Sequence, residues 1–178
     1  MEEKRVEVNM VLKFLKKIEP MRGKRKKEKT YLPDPKFNDS LVTRFVNHLM
    51  KNGKKNIAYK IFYDAMKKID SLKDKEQKSS LEIWKNGLKN VIPHVEVKSR
   101  RMGGANIQVP VPISYHSKIT KGMKLLISCS LIRNEKTMAN KLAYEIWDAF
   151  RQQGESFKRK ENIHKMAEAN KAFSHFRF

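Results

Sequence analysis

The sequence contains a single cysteine, Cys129, among its 178 residues. One thiol cannot build an intrachain disulfide framework or a multi-cysteine zinc site. The chain must therefore fold by burying apolar side chains, and we expect it in a reducing compartment such as the cytoplasm. Cys129 lies in the apolar run LLISCSLI, which predicts a small core residue rather than a nucleophile.

Long apolar runs are also missing. No run approaches the roughly 18–20 residues that a membrane-spanning helix needs. Lys13, Lys16 and Lys17 interrupt the first apolar stretch, which argues against a secretory signal. Glu2 and Glu7 argue against a transit peptide, since such peptides are poor in acid. We therefore expect no membrane partner.

Acidic residues are few beside the basic ones. The chain has 40 lysines and arginines against 19 acidic residues, a formal net charge of +21 and a sequence pI near 10.1. Such a charge repels itself unless an anionic partner neutralises it, and nucleic acid is the commonest partner of that kind. Because 39% of the residues are apolar, the chain can still bury one core. The composition indicates a nucleic-acid-binding domain.

Catalytic and cofactor motifs are absent from the sequence. It has no GxxxxGK[ST] or GxGxxG stretch, and its five histidines do not fall at zinc-ligand spacing with carboxylates or with Cys129. The carboxylates are scattered, with no pair suited to acid–base work. The sequence therefore predicts a protein with no enzymatic activity, cofactor, metal or small-molecule substrate.

Six segments carry apolar residues at helical spacing. They are 40–53, about 56–72, 80–92, about 117–133, about 137–153 and a last helix that begins near residue 160. Asn38 or Asp39 is suited to cap the first helix, and Ser79 and Glu82 are spaced as a capping box before the third.

Single residues within this pattern also receive roles. Gly53 suits the left-handed position after the first helix, and Gly154 is expected to end the fifth. Ile57 is expected in the core, on the buried face of the second helix. One face of the last helix is expected to carry Lys160, His164, Lys171 and His175.

The apolar period changes to two between the third and fourth helices. Val95 and Val97 alternate with polar residues, and the alternation resumes after SRRMGGAN. Two alternating runs around a Gly-Gly turn predict a β-hairpin at about 94–113. Pro110 and Pro112 fit only the open edge of a sheet, so this ribbon is expected to project from the body. The predicted fold class is mainly α, a six-helix bundle with a projecting two-stranded β-ribbon between the third and fourth helices.

Three sections of the chain differ in composition. Residues 1–20 carry apolar residues at helical spacing and predict either a short amphipathic helix or a weakly ordered extension. Residues 21–38 form a basic arm without apolar periodicity, which we expect to order only on a polyanion. Residues 39–178 carry the helices and the ribbon and form the predicted RNA-binding domain.

The ribbon tip and other basic segments favour RNA as the partner. Arg100 and Arg101, beside glycines, can make forked contacts with phosphates or guanine edges, and Met102 offers an apolar surface to a base or a sugar. Dispersed basic patches suit a large, curved polyanion better than a straight duplex. The other basic segments are 22–29, 51–55 and 158–160.

Four stretches of the sequence form a specific combination. They are YLPDPKFNDSLVTRFVNHLMKNGKKNIAYKIFYDA, VEVKSRRMGGANIQVPVPI, MANKLAYEIWDAF and KRKENIHKMAEANKAFSHFRF. Together they resemble ribosomal protein seven of the small subunit in its bacterial type, a member of the universal small-subunit protein seven family. The resemblance covers about residues 21–178 and implies the same six helices with an inserted ribbon.

This resemblance implies a structural constituent of the small ribosomal subunit in the cytoplasm. It implies primary binding to the 3′ major domain of the small-subunit rRNA, where the protein would nucleate assembly of the head. It also implies a place at the subunit interface, near the exit-site tRNA and the mRNA path. The small-subunit ribosomal proteins nine and eleven are the implied neighbours.

Positions that match the family imply the residues that bind RNA. The ribbon tip, implied to lie near mRNA and tRNA, consists of Arg101, Met102, Gly103 and Gly104. The implied rRNA-binding residues are Arg22, Lys24, Arg25, Lys26, Lys27, Lys29, Lys51, Lys54, Lys55, Lys98, Arg100, Arg101, Gln108, Lys158, Arg159, His164, Lys165, Asn170 and Lys171.

The chain departs from the family pattern at two places. Family members usually begin near Met21, so residues 1–20 are expected to be either a lineage-specific extension or the result of a mis-assigned start, with translation beginning at Met21. The segment between ribbon and fourth helix is usually arginine-rich, but here it offers only Lys118, Lys121 and Lys124. From the residues alone, two other functions stay open: a basic DNA-binding protein, such as a nucleoid or regulatory factor, and an RNA-modifying enzyme.

Overall fold

Within residues 30–73 and 78–176, six α-helices and one β-ribbon follow the predicted order. The structure is a computed structural model that describes residues 30–73 and 78–176, and the predictions for residues 1–29 lie outside the described residues. Its elements are α1 (Ser40–Leu49), α2 (Lys55–Leu72), α3 (Ser80–Val91), β1 (Val95–Met102), β2 (Ala105–Pro112), α4 (Tyr115–Ile132), α5 (Met138–Phe150), α6 (Gly154–Ala169) and a 3-10 helix (Lys171–Phe176). The predicted fold class is confirmed, with the ribbon between α3 and α4.

Helix α5 lies at the centre of the core and contacts α2, α3, α4 and α6. Its Leu142, Ala143 and Ile146 are fully buried. The crossing with α3 is close because α3 has Gly87 at the contact, where an added Cβ would lie 3.0 Å from the backbone oxygen of Ile146. A larger residue at this position would push the two helices apart.

Three aromatic residues join α1, α2 and α3. Phe45, Phe62 and Trp84 are all fully buried, and their ring centroids are 5.4–5.6 Å apart. Rings at these distances and inclined to one another gain more than their buried area alone provides. The helical spacing of the sequence predicts all three in the core, and the structure confirms it.

Two of the predicted helix caps are present. The Asp39 carboxylate accepts a hydrogen bond from the Leu41 amide at 2.8 Å, which caps α1. At α3, the Ser79 hydroxyl accepts from the Glu82 amide and the Glu82 carboxylate accepts from the Ser79 amide, both at 3.2 Å. These bonds satisfy amides that the first turn of a helix leaves without a partner.

The predicted end of α1 is wrong by several residues. The helix ends at Leu49, since Met50 is already extended with a ψ of 133°. Asn52 and Gly53 then take positive φ values of 51° and 72°, and α2 begins at Lys55. Gly53 therefore has the expected left-handed conformation, but it lies in a turn between the helices instead of capping α1.

Helix α6 begins earlier than the sequence predicts. Its first residue is Gly154 instead of a residue near 160, and α5 ends at Phe150. The reason is tertiary: the buried carboxylate of Glu145, on α5, accepts a hydrogen bond from the Ser156 amide at 2.8 Å and another from Arg133 at 2.6 Å. A carboxylate at a helix N-terminus stabilises the first turn, and no local pattern in the sequence reveals this one.

The C-terminal end of α6 also differs from the prediction. The α-helix ends at Ala169, and the chain continues as the 3-10 helix Lys171–Phe176. Lys160 and His164 therefore lie on α6, whereas Lys171 and His175 lie beyond its end. The single helical face expected to carry all four residues does not form.

The two strands form the only sheet among residues 30–73 and 78–176. They pair antiparallel, with Val97 opposite Pro110 and Met102 opposite Ala105. Gly103 and Gly104 make the turn with φ values of 55° and 88°, a conformation typical of two-residue hairpins. The two-stranded ribbon that the prolines predict is confirmed.

Candidate nucleic-acid interface

The ribbon has an exposed tip and a packed base. At the tip, Arg101 and both turn glycines are exposed, whereas Arg100 and Met102 are half-buried. At the base, Val109 is fully buried and Ile113 is 6% exposed. Helix α6 contacts both strands and the 3-10 helix contacts β2, so the base is fixed to the C-terminal segment while the tip extends into solvent.

Two hydrogen bonds join the base of the ribbon to the C-terminal segment. The backbone amide of His94 donates to Nε2 of His164 at 3.2 Å. Further along, the side-chain amide of Asn170 donates to Oε1 of Gln108 at 3.5 Å. Three of the implied RNA-binding residues, His164, Asn170 and Gln108, are thereby brought together, but with partners inside the protein.

Glu96 holds two lysines at the ribbon base. Its carboxylate is paired with Lys98 of the same strand, at 3.2 Å, and with Lys121 of α4. Burial lowers the pKa of Lys121 from its ordinary value. The sequence does not single out Glu96, because an acidic residue in a strand carries no signal of what it will face. Lys121 is therefore engaged within the protein, while Lys124 on the same helix is exposed.

Helix α4 connects the ribbon with the loop between α1 and α2. Lys124 and Val97 line the same cavity of about 440 Å³ at the ribbon base. Burial lowers the pKa of His48, and the positive charges of Lys124 and Arg44 lower it further. His48 in turn lines a groove with Lys51 and Lys54. The basic surface thus continues from the ribbon along α4 to the α1–α2 loop.

The α1–α2 loop and the first residue of α2 carry three of the implied RNA-binding residues. Lys51, Lys54 and Lys55 are all exposed. Lys51 and Lys54 border a groove of about 320 Å³ with an apolar floor that includes Ile57 and Leu131. Ile57 is predicted to be in the core but is 54% exposed. That prediction is wrong because Ile57 faces the open groove, whereas its neighbour Ala58 is the buried residue of the first turn of α2.

Arg44 fixes the start of α4 against α1. Its guanidinium donates to the backbone oxygen of His116 at 2.8 Å and to the hydroxyl of Thr120 at 2.6 Å. The ring of Tyr31 lies 5.9 Å from the same guanidinium. This arginine therefore orients the helix that carries Lys124, a role that helical periodicity alone does not indicate.

The implied residues near the C-terminus have different surroundings. Lys158, Lys165 and Lys171 are exposed. Arg159 is half-buried and pairs with Glu155, one turn earlier on α6, at 3.1 Å. Surface pairs of this kind contribute little stability, so an RNA phosphate could replace the carboxylate at small cost. The arm residues Arg22, Lys24, Arg25, Lys26, Lys27 and Lys29 lie outside the described residues.

The described ranges contain no group of three or more histidine, cysteine or acidic side chains placed to hold a metal ion. In the same ranges, no helix is both long and apolar enough to cross a membrane. Cys129 is 1% exposed, which confirms its predicted place in the core, and burial raises the pKa of its thiol.

The chain is similar to known ribosomal proteins. The model of the family described as ribosomal protein S7p/S5e matches residues 21–171. The small ribosomal subunit protein uS7 of Karelsulcia muelleri (strain GWSS) is 60% identical over 158 residues, which are 89% of this chain and 100% of that protein. The proteins of the same name from Christiangramia forsetii and Bacteroides fragilis are 57% and 55% identical, over the same shares of each chain.

Proposed function

The chain belongs to the ribosomal protein S7p/S5e family, and from this we propose that it is a structural protein of the small ribosomal subunit that binds rRNA directly. One observation carries the proposal. The exposed Arg101 at the ribbon tip and the exposed lysines of α4, α6 and the α1–α2 loop belong to elements that contact one another in series. A series of basic patches on a bent surface suits a folded RNA.

The charge of the protein supports a binding function over a catalytic one. The formal net charge of +21 needs an anionic partner, and burial raises the pKa of two groups, Tyr63 and Cys129, that have structural places. Tyr63 donates a hydrogen bond to buried Asp34, and Cys129 is enclosed in the core. The proposed role is therefore non-enzymatic, with the RNA held by arginine forks and lysine point charges.

The family resemblance supports a more specific proposal. The rRNA target is the 3′ major domain of the small subunit, and the protein binds it early enough to nucleate assembly of the head. The ribbon tip, Arg101 to Gly104, lies towards the exit-site tRNA and the mRNA path. The small-subunit proteins nine and eleven are the proposed protein neighbours.

Direct binding assays test the main proposal. We expect the full chain to bind a transcript of the 3′ major domain far more tightly than a DNA duplex with the same number of phosphates. The logarithm of the affinity should fall with the logarithm of salt by about 0.7–0.9 for each phosphate that the protein neutralises. Equal affinity for arbitrary duplex DNA would support the DNA-binding alternative and refute the ribosomal one.

The placement of the tip can be tested with one engineered thiol. Because Cys129 is 1% exposed, a cysteine introduced by Asn106→Cys is the accessible thiol to which an iron chelate can be attached. In assembled small subunits with bound tRNA, we expect the chelate to cleave the exit-site tRNA. The matched control is Lys67→Cys on α2, whose side chain is 72% exposed. Cleavage of that tRNA from the control alone would contradict the placement.

A further inference from the structure

His164 has a partner that its implied role does not include. The resemblance counts it among the residues that bind rRNA, yet its Nε2 accepts a hydrogen bond from the backbone amide of His94 at 3.2 Å. His94 lies between α3 and β1, directly before the ribbon begins. The bond therefore ties the entry of the ribbon to the middle of α6.

This hydrogen bond requires a neutral imidazole. A ring nitrogen can accept only when it carries no proton, and a doubly protonated ring has two donors and no acceptor. The surroundings favour the neutral form, because burial lowers the pKa of His164 and the charges of Lys160 and His94 lower it further. A neutral ring that already accepts a hydrogen bond at Nε2 offers no positive charge to a phosphate.

The second strand of the ribbon is held by the same C-terminal segment. Asn170 directly follows α6, and its side chain donates both to Gln108 of β2, at 3.5 Å, and to the backbone oxygen of Met166, at 2.8 Å. His164 thus holds the segment that enters β1, and Asn170 holds β2. Contacts to both strands restrict how the ribbon can tilt relative to the helices.

We propose that His164 is a positioning residue for RNA binding: as a hydrogen-bond acceptor it holds the base of the ribbon against α6 and thereby aims the Arg101 tip at the RNA. It supplies no positive charge to a phosphate. The inference rests on the proposed function, since it explains how the ribbon is oriented for binding.

Three substitutions separate this role from that of a phosphate ligand. His164→Gln keeps an acceptor at a similar distance from the backbone and has no charge. His164→Lys supplies a positive charge but has no acceptor. His164→Ala removes both properties. The comparison between glutamine and lysine decides the question, because both are long polar residues that a half-buried helical position accommodates.

The hydrogen bond can be measured in the full chain without RNA. Amide hydrogen exchange at His94 should be as slow in His164→Gln as in the original protein. It should be roughly five- to tenfold faster in His164→Lys and His164→Ala, which matches the net free energy of one hydrogen bond. Unchanged exchange in the lysine and alanine variants would refute the proposal, whether or not the protein binds RNA.

RNA affinity provides the second measurement. We expect His164→Gln to bind the 3′ major domain transcript like the original protein, and His164→Lys to bind roughly three- to tenfold more weakly despite its added charge. The salt dependence of the alanine variant should be unchanged, since His164 neutralises no phosphate. Weaker binding by the glutamine variant together with full binding by the lysine variant would overturn the proposal.

A double substitution tests whether His164 acts through the tip. If it aims Arg101, then His164→Ala should weaken binding much less when Arg101→Ala is already present, because coupled residues are not additive. Fully additive effects would show that the two residues act independently and would overturn the proposal. If the original protein did not bind the transcript at all, the proposed function would fail, while the exchange measurement would still test the hydrogen bond.

Discussion

The base and the tip of the ribbon are built from the same two strands but have opposite surroundings. At the base, Val109 is buried and the polar side chains are satisfied inside the protein, Glu96 by Lys98 and Lys121. At the tip, Arg101 is exposed. No atom lies within 4 Å of the position that a Cβ would take on either glycine of the turn. Charged side chains are thus paired within the protein at the base, whereas Arg101 is exposed at the tip.

This contrast shows why charge alone does not identify an RNA contact. Lys121 and Lys124 are one turn apart on α4, yet Lys121 is paired with the ribbon and Lys124 is exposed. A lysine that is paired with a carboxylate must give up that partner before it can neutralise a phosphate and release counterions. Among the lysines of α4, Lys124 is therefore a better candidate for RNA contact than Lys121. The following experiments test the contrast, beginning with the largest expected effect.

The largest effect is expected where a charge is most deeply enclosed. Glu145→Ala should lower the free energy of unfolding by about 2–4 kcal/mol, because it leaves the buried Ser156 amide without an acceptor and removes one of the two carboxylates that pair with Arg133, the other being Asp148. Urea denaturation measures this decrease. The control is Glu155→Ala, which removes an exposed carboxylate from Arg159 and should cost at most about 1 kcal/mol. Equal decreases would show that burial does not determine how much these ion pairs contribute to the free energy of unfolding.

A smaller decrease in stability is expected at the ribbon base. Val109 is fully buried, so Val109→Ala should reduce the free energy of unfolding by about 1–3 kcal/mol, because less apolar surface is buried and a cavity is left behind. Thermal denaturation followed by circular dichroism provides the measurement. The matched substitution on the exposed face of the same strand, Asn106→Ala, should change stability by less than about 0.5 kcal/mol. If both were neutral, the base would not be packed as described.

The free energy of unfolding should also depend on pH through His48 and His164. The pKa values of His48 and His164 lie below the ordinary 6.5 in the folded protein. The unfolded chain therefore takes up protons first, and the free energy of unfolding should fall as the pH drops below about 6.5. Denaturation between pH 5 and pH 8 tests this direction. The pH dependence of stability should be smaller in His164→Gln. A protein that is more stable at pH 5 than at pH 7 would contradict the lowered pKa values of the two histidines.

The smallest effect on stability is expected at the tip. Arg101→Ala, and the pair Arg100→Ala and Arg101→Ala, should change the free energy of unfolding by no more than about 0.5 kcal/mol for each residue, because a projecting tip buries little core. RNA affinity should nevertheless fall, with a salt slope smaller by about 0.7–0.9 for each phosphate that is no longer bound. The exposed Lys89→Ala on α3 is the control for a general charge effect. Unfolding of the double variant would show that the tip supports the fold.

Local patterns in the sequence predict much of the fold for identifiable reasons. The capping box at Ser79 and Glu82 and the Gly-Gly turn of the ribbon depend on residues close together in the chain, and both are confirmed. The start of α6 is not predicted correctly, because the group that caps it is Glu145, on another helix. The prediction for Ile57 is wrong for the same kind of reason, since the groove that leaves it exposed is formed with α4, which is distant in the sequence.

The features of the candidate site can also be separated into those that local sequence predicts and those that tertiary structure decides. The sequence by itself determined that the protein is basic, helical and equipped with an arginine-bearing ribbon, because composition, period and turn residues act locally. Only the tertiary structure decided which basic and polar groups remain available, since pairing depends on distant neighbours. Lys121 is held by Glu96 and His164 by the His94 amide, whereas Lys124 and Arg101 are exposed. Burial and partner geometry, which no single stretch of sequence contains, make that difference.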